Sequence, residues 1–191
     1  MTRRTALSLL SVPALAQTGS KARVPRPSPE FVVQMVGGKS VLISQYKGKV
    51  VCVEFLLTTC PHCQKASQIL EKLYKEFGPR GFQPIGCAIN AETPEMAKLL
   101  VPSYVQAYNL TFPVGFAKRE TVVNYLEHPI MQQLFMPAIA VIDKKWNIRA
   151  QHLGSEDFFI EEEKNMRKLI ETLLEESGGS AAPRATKKKS S

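Results

Sequence analysis

Two cysteines separated by two residues are the part of this sequence best suited to chemistry. They form the run Cys60-Pro61-His62-Cys63, which follows an apolar stretch and precedes a helical pattern of apolar residues. Cysteines at this spacing occur as redox pairs, as half of a metal site, or as anchors for covalent haem. Haem attachment requires a histidine directly after the second cysteine, and Gln64 stands there instead. A redox pair and a metal site therefore remain.

A metal site would need ligands from elsewhere in the chain. Structural zinc sites take four ligands, usually from two such cysteine pairs or from one pair and two closely spaced histidines. Here Cys52 and Cys87 lie in apolar runs, and His128 and His152 are far apart in the sequence. A site formed by the pair and a distant histidine stays open, and it would make the protein a copper- or zinc-binding chaperone. We predict a redox pair with no metal and no cofactor, because the sulfurs carry the electrons themselves.

The residues around the motif predict the elements that position it. Residues 50–57, VVCVEFLL, are apolar except for one glutamate and rich in β-branched residues, as in a strand buried on both faces. From Gln64 to Phe77, apolar residues recur every three or four positions, which predicts an amphipathic helix ended by Gly78 and Pro79. The cysteine pair therefore lies between a buried strand and the first turn of a helix.

A sulfur at the start of a helix is stabilised as a thiolate. Free backbone N–H groups and the helix dipole present positive charge there, which lowers a cysteine pKa from about 8.5 towards about 3.5–7. We predict that Cys60 is the nucleophile, that Pro61 suits the first turn, and that His62 adds positive charge when protonated. Cys63, one turn into the helix, is expected to be more buried, to keep its proton, and to resolve the mixed disulfide.

A glutamate lies inside the apolar strand. Glu54 precedes Cys60 by six residues, and from there it can reach the space beneath the loop that carries the sulfur. Burying a carboxylate is costly and raises its pKa. We predict that Glu54 accepts and returns the proton of Cys63, directly or through water. The alternative is a glutamate that faces solvent and has no part in the chemistry.

The rest of the chain supplies further strands and helices. Gly37-Gly38 divides residues 31–49 into a hairpin, and Thr93-Pro94 begins a helix after a second buried strand. We predict strands at 81–90, 112–116 and 137–143, a hairpin partner at 148–154, and helices at 93–108, 120–135 and 156–176, the second of them broken near His128-Pro129. This order predicts an α/β fold with a central mixed sheet flanked by helices on both faces.

The two ends differ from the middle in composition. The formal net charge of +8 arises at the ends, because residues 28–180 sum to −1, which argues against a nucleic-acid-binding domain. An arginine pair, a short apolar stretch and a small-x-small site ending at Ala16 are typical of an export signal peptide. We predict a periplasmic or other extracytoplasmic protein with no membrane span in the mature chain. Its parts are a signal peptide at 1–16, a linker at 17–28, the folded domain at 29–176 and a disordered basic tail at 177–191.

These features resemble the thioredoxin superfamily, and within it the exported TlpA/ResA or redoxin type. The resemblance covers about residues 29–176 and rests on PSPEFVV, the Gly-Lys hairpin, the Tyr-x-Gly-Lys before the core strand, and the redox motif. It implies a thioredoxin-like fold with an N-terminal hairpin and a helical insertion before the cis-proline strand. It also implies that Glu54 is the buried acid, and that Met136 and cis-Pro137 bind a docking client strand.

The sequence departs from the usual pattern of that branch in two places. Thr59 replaces the aromatic residue that usually precedes the first cysteine, and Pro61-His62 is the inner dipeptide of DsbA-type oxidases. A histidine there makes the disulfide more oxidising, whereas the branch implies reductases, so the direction of electron flow stays open. The resemblance implies a thiol–disulfide oxidoreductase whose partners are client proteins and an electron donor or acceptor protein. A redox-inactive binding module is a further alternative.

Overall fold

One eight-stranded mixed sheet forms the centre of the structure, a computed structural model that describes residues 22–176. The order of its strands across the sheet is β1-β8-β7-β4-β5-β6-β2-β3, in which β4–β5 and β5–β6 are parallel and all other neighbours are antiparallel. The strands are β1 (Arg26–Pro27), β2 (Val32–Gln34), β3 (Ser40–Leu42), β4 (Val50–Leu56), β5 (Phe82–Ala88), β6 (Val114–Phe116), β7 (Ala138–Ile142) and β8 (Asn147–Leu153).

Strands β4 and β5 lie at the centre because their sequences are apolar on both faces. All seven residues of each strand are buried, and β4 pairs with β5 on one side and with β7 on the other. Successive side chains of a strand point to opposite faces. In β4 the face that bears Cys52 also holds Val50 and Leu56, and the opposite face holds Val51, Val53 and Phe55.

Within residues 22–176, four α-helices cover the two faces of the sheet. They are α1 (Pro61–Phe77), α2 (Pro94–Ala107), α3 (Arg119–Tyr125) and α4 (Glu162–Glu175). Helices α1, α2 and α4 pack on the face that bears Cys52, with Leu70 and Met166 among the residues they bury there. Helix α3 and the N-terminal hairpin cover the opposite face, which buries Phe31.

The predicted α/β fold is confirmed. The N-terminal hairpin lies where the sequence predicted it, and one helix is shorter than predicted. Gly37 and Gly38 join β2 to β3 with φ of 99° and 85°, a left-handed conformation that glycine adopts without steric cost. The helix expected at 120–135, with a break near His128-Pro129, is correct only up to Tyr125: α3 ends there, before the expected break, and residues 126–135 form turns and irregular chain. Pro129 lies in that segment and cannot donate the backbone N–H that a continuing helix needs.

The folded domain begins earlier in the chain than expected. β1 lies inside residues 17–28, which were expected to form a linker, and it pairs with β8 at the edge of the sheet. The expected signal peptide at 1–16 and basic tail at 177–191 lie outside the described residues. Between residues 22 and 176, no helix combines the length and apolarity required to cross a bilayer.

Candidate active site

Cys60 stands at the junction between β4 and α1. It is the N-cap residue of α1, with extended backbone angles (φ −88°, ψ 118°), and Pro61 follows at the first helical position. The backbone N–H of Cys63 donates to Cys60 Sγ at 3.5 Å, and the N–H of Gln64 donates to the Cys60 carbonyl at 3.0 Å. Cys60 is half-buried, and His62 is exposed beside it on the first turn. The first cysteine is therefore partly accessible, and its sulfur accepts a hydrogen bond from the first turn of α1.

Cys63 lies behind Cys60 and is fully buried. Its Sγ accepts a hydrogen bond from the backbone N–H of Leu57 at 3.5 Å. Burial raises the pKa of the Cys63 thiol well above its usual range, and the Leu57 N–H opposes that rise only in part. The two sulfurs thus occupy different environments, with the second one held as a neutral thiol in the resting site.

Asn90 braces the loop ahead of the redox pair. Its Oδ1 accepts the backbone N–H of Thr58 at 3.1 Å, and its Nδ2 donates to Thr58 Oγ1 at 2.8 Å. The Gln64 side chain donates to the Thr58 carbonyl at 3.2 Å. All the polar groups of Thr58 are therefore bound, which fixes the neighbouring Leu57 N–H in its position against Cys63.

Glu54 is buried in β4 beneath the redox pair, with 0% of its surface exposed. Ser67 of α1 lies at hydrogen-bond distance, 2.7 Å from Oε2. Among the described residues, Oε1 has no hydrogen-bond partner. Burial raises the pKa of Glu54 to about 8, against the lowering effect of the Ser67 hydroxyl, and negative charge on Glu162 and Cys60 adds to the rise. Glu54 is therefore a neutral acid through most of the physiological range, as the apolar strand predicted.

A tyrosine that the sequence did not single out lies beside these groups. Tyr104 of α2 is buried, and its hydroxyl lies 2.8 Å from Ser67 Oγ and 3.1 Å from the carbonyl oxygen of Cys63. The only sequence signal for Ser67 and Tyr104 is a hydroxyl on the inner face of an amphipathic helix. Asn90 was also missed, although it directly follows the apolar run of β5, at the same sheet edge as the redox pair.

A second buried acid was not anticipated either. Glu162 is the first residue of α4 and is 5% exposed. Burial raises its pKa to about 7, and the positive charge of Lys65 on α1 partly offsets that rise. Negative charge on Glu162 raises the pKa of Glu54, because like charges repel. It is therefore unfavourable for both acids to be ionised at the same time.

The Met136–Pro137 peptide bond is cis, as the resemblance implied. Pro137 is buried, and Met136 is half-buried where the core clusters of both sheet faces meet. Gly154, at the end of β8, lies directly against this bond: a Cβ there would overlap the Met136 carbonyl and come within 3.0 Å of Pro137 N. The Gly154 N–H also donates to the Phe135 carbonyl at 3.2 Å. Gly154 was not identified from the sequence.

The remaining cysteines lie on opposite faces of the sheet. Cys52 pairs in register with Pro84, and Cys87 pairs with Phe55, so the two cysteines are three positions apart along the ladder. Cys52 belongs to the core that contains α1, and Cys87 belongs to the core on the other face. Burial raises the pKa of both thiols. They are inert core residues in this fold and cannot form a disulfide with each other.

The histidines do not complete a metal site with the cysteine pair. His152 Nδ1 lies 2.9 Å from Glu156 Oε2 and its ring stacks on Phe158, and His128 Nε2 lies 3.2 Å from the Gln132 carbonyl. In the described part of the chain, histidine, cysteine and acidic side chains do not gather in groups of three or more suited to a metal ion.

Known proteins show the same sequence pattern and the same fold. Residues 23–170 match the Redoxin family. The thiol-disulfide oxidoreductase ResA of Halalkalibacterium halodurans is 34% identical over 136 residues, 71% of this chain and 71% of that protein. The thioredoxin-like protein YneN of Bacillus subtilis is 27% identical over 145 residues, 74% of this chain and 80% of that protein.

A solved structure extends the likeness to the whole domain. The thiol:disulfide interchange protein, thioredoxin family protein, of Chlorobium tepidum superposes with a TM-score of 0.64 at 25% identity, covering 81% of this chain and 99% of that one. The half-buried Cys60, the buried Cys63 and the cis-Pro137 segment occur here on that fold. The chain belongs to the Redoxin family and is a thiol–disulfide oxidoreductase with a thioredoxin-like fold.

Proposed function

We propose that this oxidoreductase exchanges electrons with cysteine pairs of other proteins through Cys60 and Cys63, with Glu54 carrying the proton of Cys63. The observation that supports this most directly is the contrast between the two sulfurs. Cys60 is accessible at the head of α1, where unpaired N–H groups and the helix dipole favour a thiolate. Cys63 is buried one turn behind it and keeps its proton until the second step.

The exchange proceeds in two balanced steps. The Cys60 thiolate attacks one sulfur of a client disulfide, a Cys60–client disulfide forms, and the other client sulfur leaves as a thiolate. Cys63 then gives up its proton and attacks the Cys60 sulfur, which forms the Cys60–Cys63 disulfide and releases the second client sulfur. The client gains two electrons and the enzyme loses two. The reverse sequence oxidises a client dithiol, and the direction in the cell depends on the partner's potential.

Two observations support Glu54 in the proton step. It is buried in β4 two residues from Cys52, whose core cluster also contains Cys63, and its oxygen Oε1 is unpaired within the described chain. With a pKa of about 8, roughly one molecule in ten holds the carboxylate at pH 7 and can accept the Cys63 proton. The protonated majority can return a proton to Cys63 when its disulfide opens. His62, exposed on the first turn, adds positive charge near Cys60 when protonated.

A client would dock beside the cis-proline. Pro137 has no N–H, and the backbone of half-buried Met136 precedes it, so an extended client strand can pair with the chain there. The Gly154 N–H donates to the Phe135 carbonyl and so ties this segment to the end of β8. We place the work of the enzyme outside the cytoplasm, because residues 1–16 have the composition of an export signal, and we assign it protein clients and a protein electron donor or acceptor.

Trapping of mixed disulfides tests the roles of the two sulfurs. In Cys63→Ser, Cys60 should still attack the disulfides of insulin, and a covalent Cys60–insulin complex should accumulate. Cys60→Ser should form no such complex. Both variants should lose turnover in an insulin-reduction assay, and Cys87→Ala, on the far face of the sheet, should keep it. Full insulin-reducing turnover in Cys63→Ser would contradict the proposed resolving step.

The proton role of Glu54 has its own test. In stopped-flow measurements, closure of the mixed disulfide by Cys63 should accelerate as pH rises, with an inflection near pH 8. Glu54→Gln should remove that inflection and slow closure about 10²-fold or more, the usual contribution of a positioned acid or base. An unchanged pH–rate profile in Glu54→Gln would exclude Glu54 as the proton carrier.

A further inference from the structure

Four groups form a continuous chain of short polar contacts beneath the redox pair. Glu54 Oε2 lies 2.7 Å from Ser67 Oγ, Ser67 Oγ lies 2.8 Å from Tyr104 Oη, and Tyr104 Oη lies 3.1 Å from the Cys63 carbonyl oxygen. All four residues are buried. The chain ends at a carbonyl, which only accepts hydrogen bonds, so its protons must be donated towards Cys63 if every contact is to be a hydrogen bond.

The number of protons decides how many of the three contacts are satisfied. When Glu54 is protonated on Oε2, it donates to Ser67, Ser67 donates to Tyr104, and Tyr104 donates to the carbonyl. Three protons then serve three hydrogen bonds. When Glu54 is ionised, Ser67 must donate to the carboxylate, and the single proton of Tyr104 serves either Ser67 or the carbonyl. Two protons then serve three contacts, and one contact is left without a hydrogen bond.

We propose that Ser67 and Tyr104 are positioning residues that couple the protonation of Glu54 to the first turn of α1, by reversing the direction of two hydroxyl groups. When Glu54 is protonated, the Tyr104 hydroxyl donates only to the Cys63 carbonyl. When Glu54 is ionised, the Cys63 carbonyl and Ser67 Oγ compete for the single Tyr104 proton. The Ser67 hydroxyl alone favours the carboxylate, but Tyr104 adds one more hydrogen bond to the neutral state of Glu54 than to the ionised state. This inference rests on the proposed function, because it concerns the acid proposed to serve Cys63.

Other titratable groups face Glu54 and are the same in every variant compared. Cys52 lies on the same strand, Cys60 caps α1, Cys63 lies on α1, and Glu162 approaches from α4. The neighbouring strands contribute no charge at this level, since Glu54 pairs with Gly86 and Ile139. Burial raises the pKa of Tyr104, so its hydroxyl keeps its proton throughout the range in which Glu54 titrates.

Removing the tyrosine hydroxyl should therefore shift Glu54 in a defined direction. In Tyr104→Phe the neutral state loses two hydrogen bonds and the ionised state loses one, so the ionised state gains relative to the neutral one. We expect the Glu54 midpoint to fall by about 0.5–1 pH unit, the size of one hydrogen bond. The measurement is a 13C NMR titration of side-chain carboxyl carbons in the reduced full-length protein, with the Glu54 resonance assigned by its loss in Glu54→Gln.

A double-variant comparison separates the relay from a packing effect. Because the tyrosine acts through Ser67, Tyr104→Phe should shift the midpoint in the natural background and leave it unchanged in a Ser67→Ala background. Tyr108→Phe is the matched control, since the Tyr108 ring packs edge-on against Tyr104 at 5.0 Å and its hydroxyl is outside the chain. It should not move the midpoint in either background.

Two outcomes would overturn the relay: no fall in Tyr104→Phe, or an equal fall with and without Ser67. The titration observes Glu54 itself and does not depend on turnover. If the relay is present but closure of the mixed disulfide is unaffected by Glu54→Gln, the proposed proton role fails and the relay stands. If closure depends on Glu54 but the midpoint ignores Tyr104, the relay alone fails.

Discussion

Replacing the buried acid with its uncharged isostere should stabilise the protein by an amount that grows with pH. Glu54 is fully buried and its folded-state pKa is about 8, against an ordinary value of 4.5. Below about pH 4.5 the group is neutral in both folded and unfolded chains and has no pH-linked effect on stability. Between pH 4.5 and 8 the unfolded chain releases the proton and the folded chain keeps it, so stability falls as pH rises.

The size of the effect follows from the difference between the two pKa values. Each pKa unit corresponds to about 1.4 kcal/mol. The free energy of unfolding of the natural protein is therefore lower than that of a chain with a neutral group at this position. The difference is about 3 kcal/mol at pH 7 and about 5 kcal/mol above pH 8. Glutamine has the shape of the protonated acid and does not ionise. Glu54→Gln should thus be near-neutral at pH 4, and more stable by about 3 kcal/mol at pH 7 and about 5 kcal/mol at pH 9.

Urea unfolding of the reduced protein at pH 4, 7 and 9 measures these differences. Glu120→Gln, an exposed change on α3, is the control and should alter the free energy of unfolding by less than about 0.5 kcal/mol at each pH. A gain from Glu54→Gln that is the same at all three pH values, or no gain at pH 9, would refute the argument that burial holds Glu54 neutral.

Two further predictions concern the segments that frame the redox pair. Gly154→Ala should cost about 1–3 kcal/mol of stability, because the new methyl overlaps the Met136 carbonyl beside Pro137. It should also reduce insulin turnover at least about tenfold. Reaction of the reduced enzyme with a small aromatic disulfide should be nearly unchanged. Asn90→Ala should cost about 1–3 kcal/mol, since it removes both hydrogen bonds to Thr58, and should slow mixed-disulfide closure in the stopped-flow assay.

Controls for these two changes lie elsewhere in the described chain. Gly78→Ala, at the far end of α1, places its methyl against the movable ring of Tyr74 and should keep insulin turnover. Asn124→Ala, exposed on α3, should keep the closure rate. Equal losses with insulin and with the small disulfide in Gly154→Ala would contradict a role confined to client docking. Normal closure in a destabilised Asn90→Ala would assign that residue to stability alone.

Local patterns predicted much of this protein because they depend on neighbouring residues. The apolar run 50–57 and the periodic apolar residues from Gln64 placed the cysteine pair between a buried strand and a helix, and the structure has it there. The burial of Glu54 followed from its place in a strand with apolar neighbours on both sides. At 120–135 the sequence indicated the break near His128-Pro129, but the helix already ends at Tyr125 and does not resume after Pro129.

Contacts between distant parts of the chain were beyond the reach of such patterns. Tyr104 meets the Cys63 carbonyl across 41 positions of sequence, and Asn90 meets Thr58 across 32. The sequence placed Gly154 as the last residue of a predicted strand, but only its packing on the Met136 carbonyl shows why a side chain is excluded. Each of these contacts depends on how helices and strands sit against one another.

By itself the sequence determined the order of the helices and of the strands from β2 onward, the place of the redox pair at the head of α1, and the burial of one acid in the central strand, because each depends on spacing along a few residues. The tertiary structure decided strand register, which sends Cys52 and Cys87 to opposite faces. It also decided which hydroxyls reach Glu54. Both depend on distances set by packing across the whole core, for which a single sequence carries no local signal.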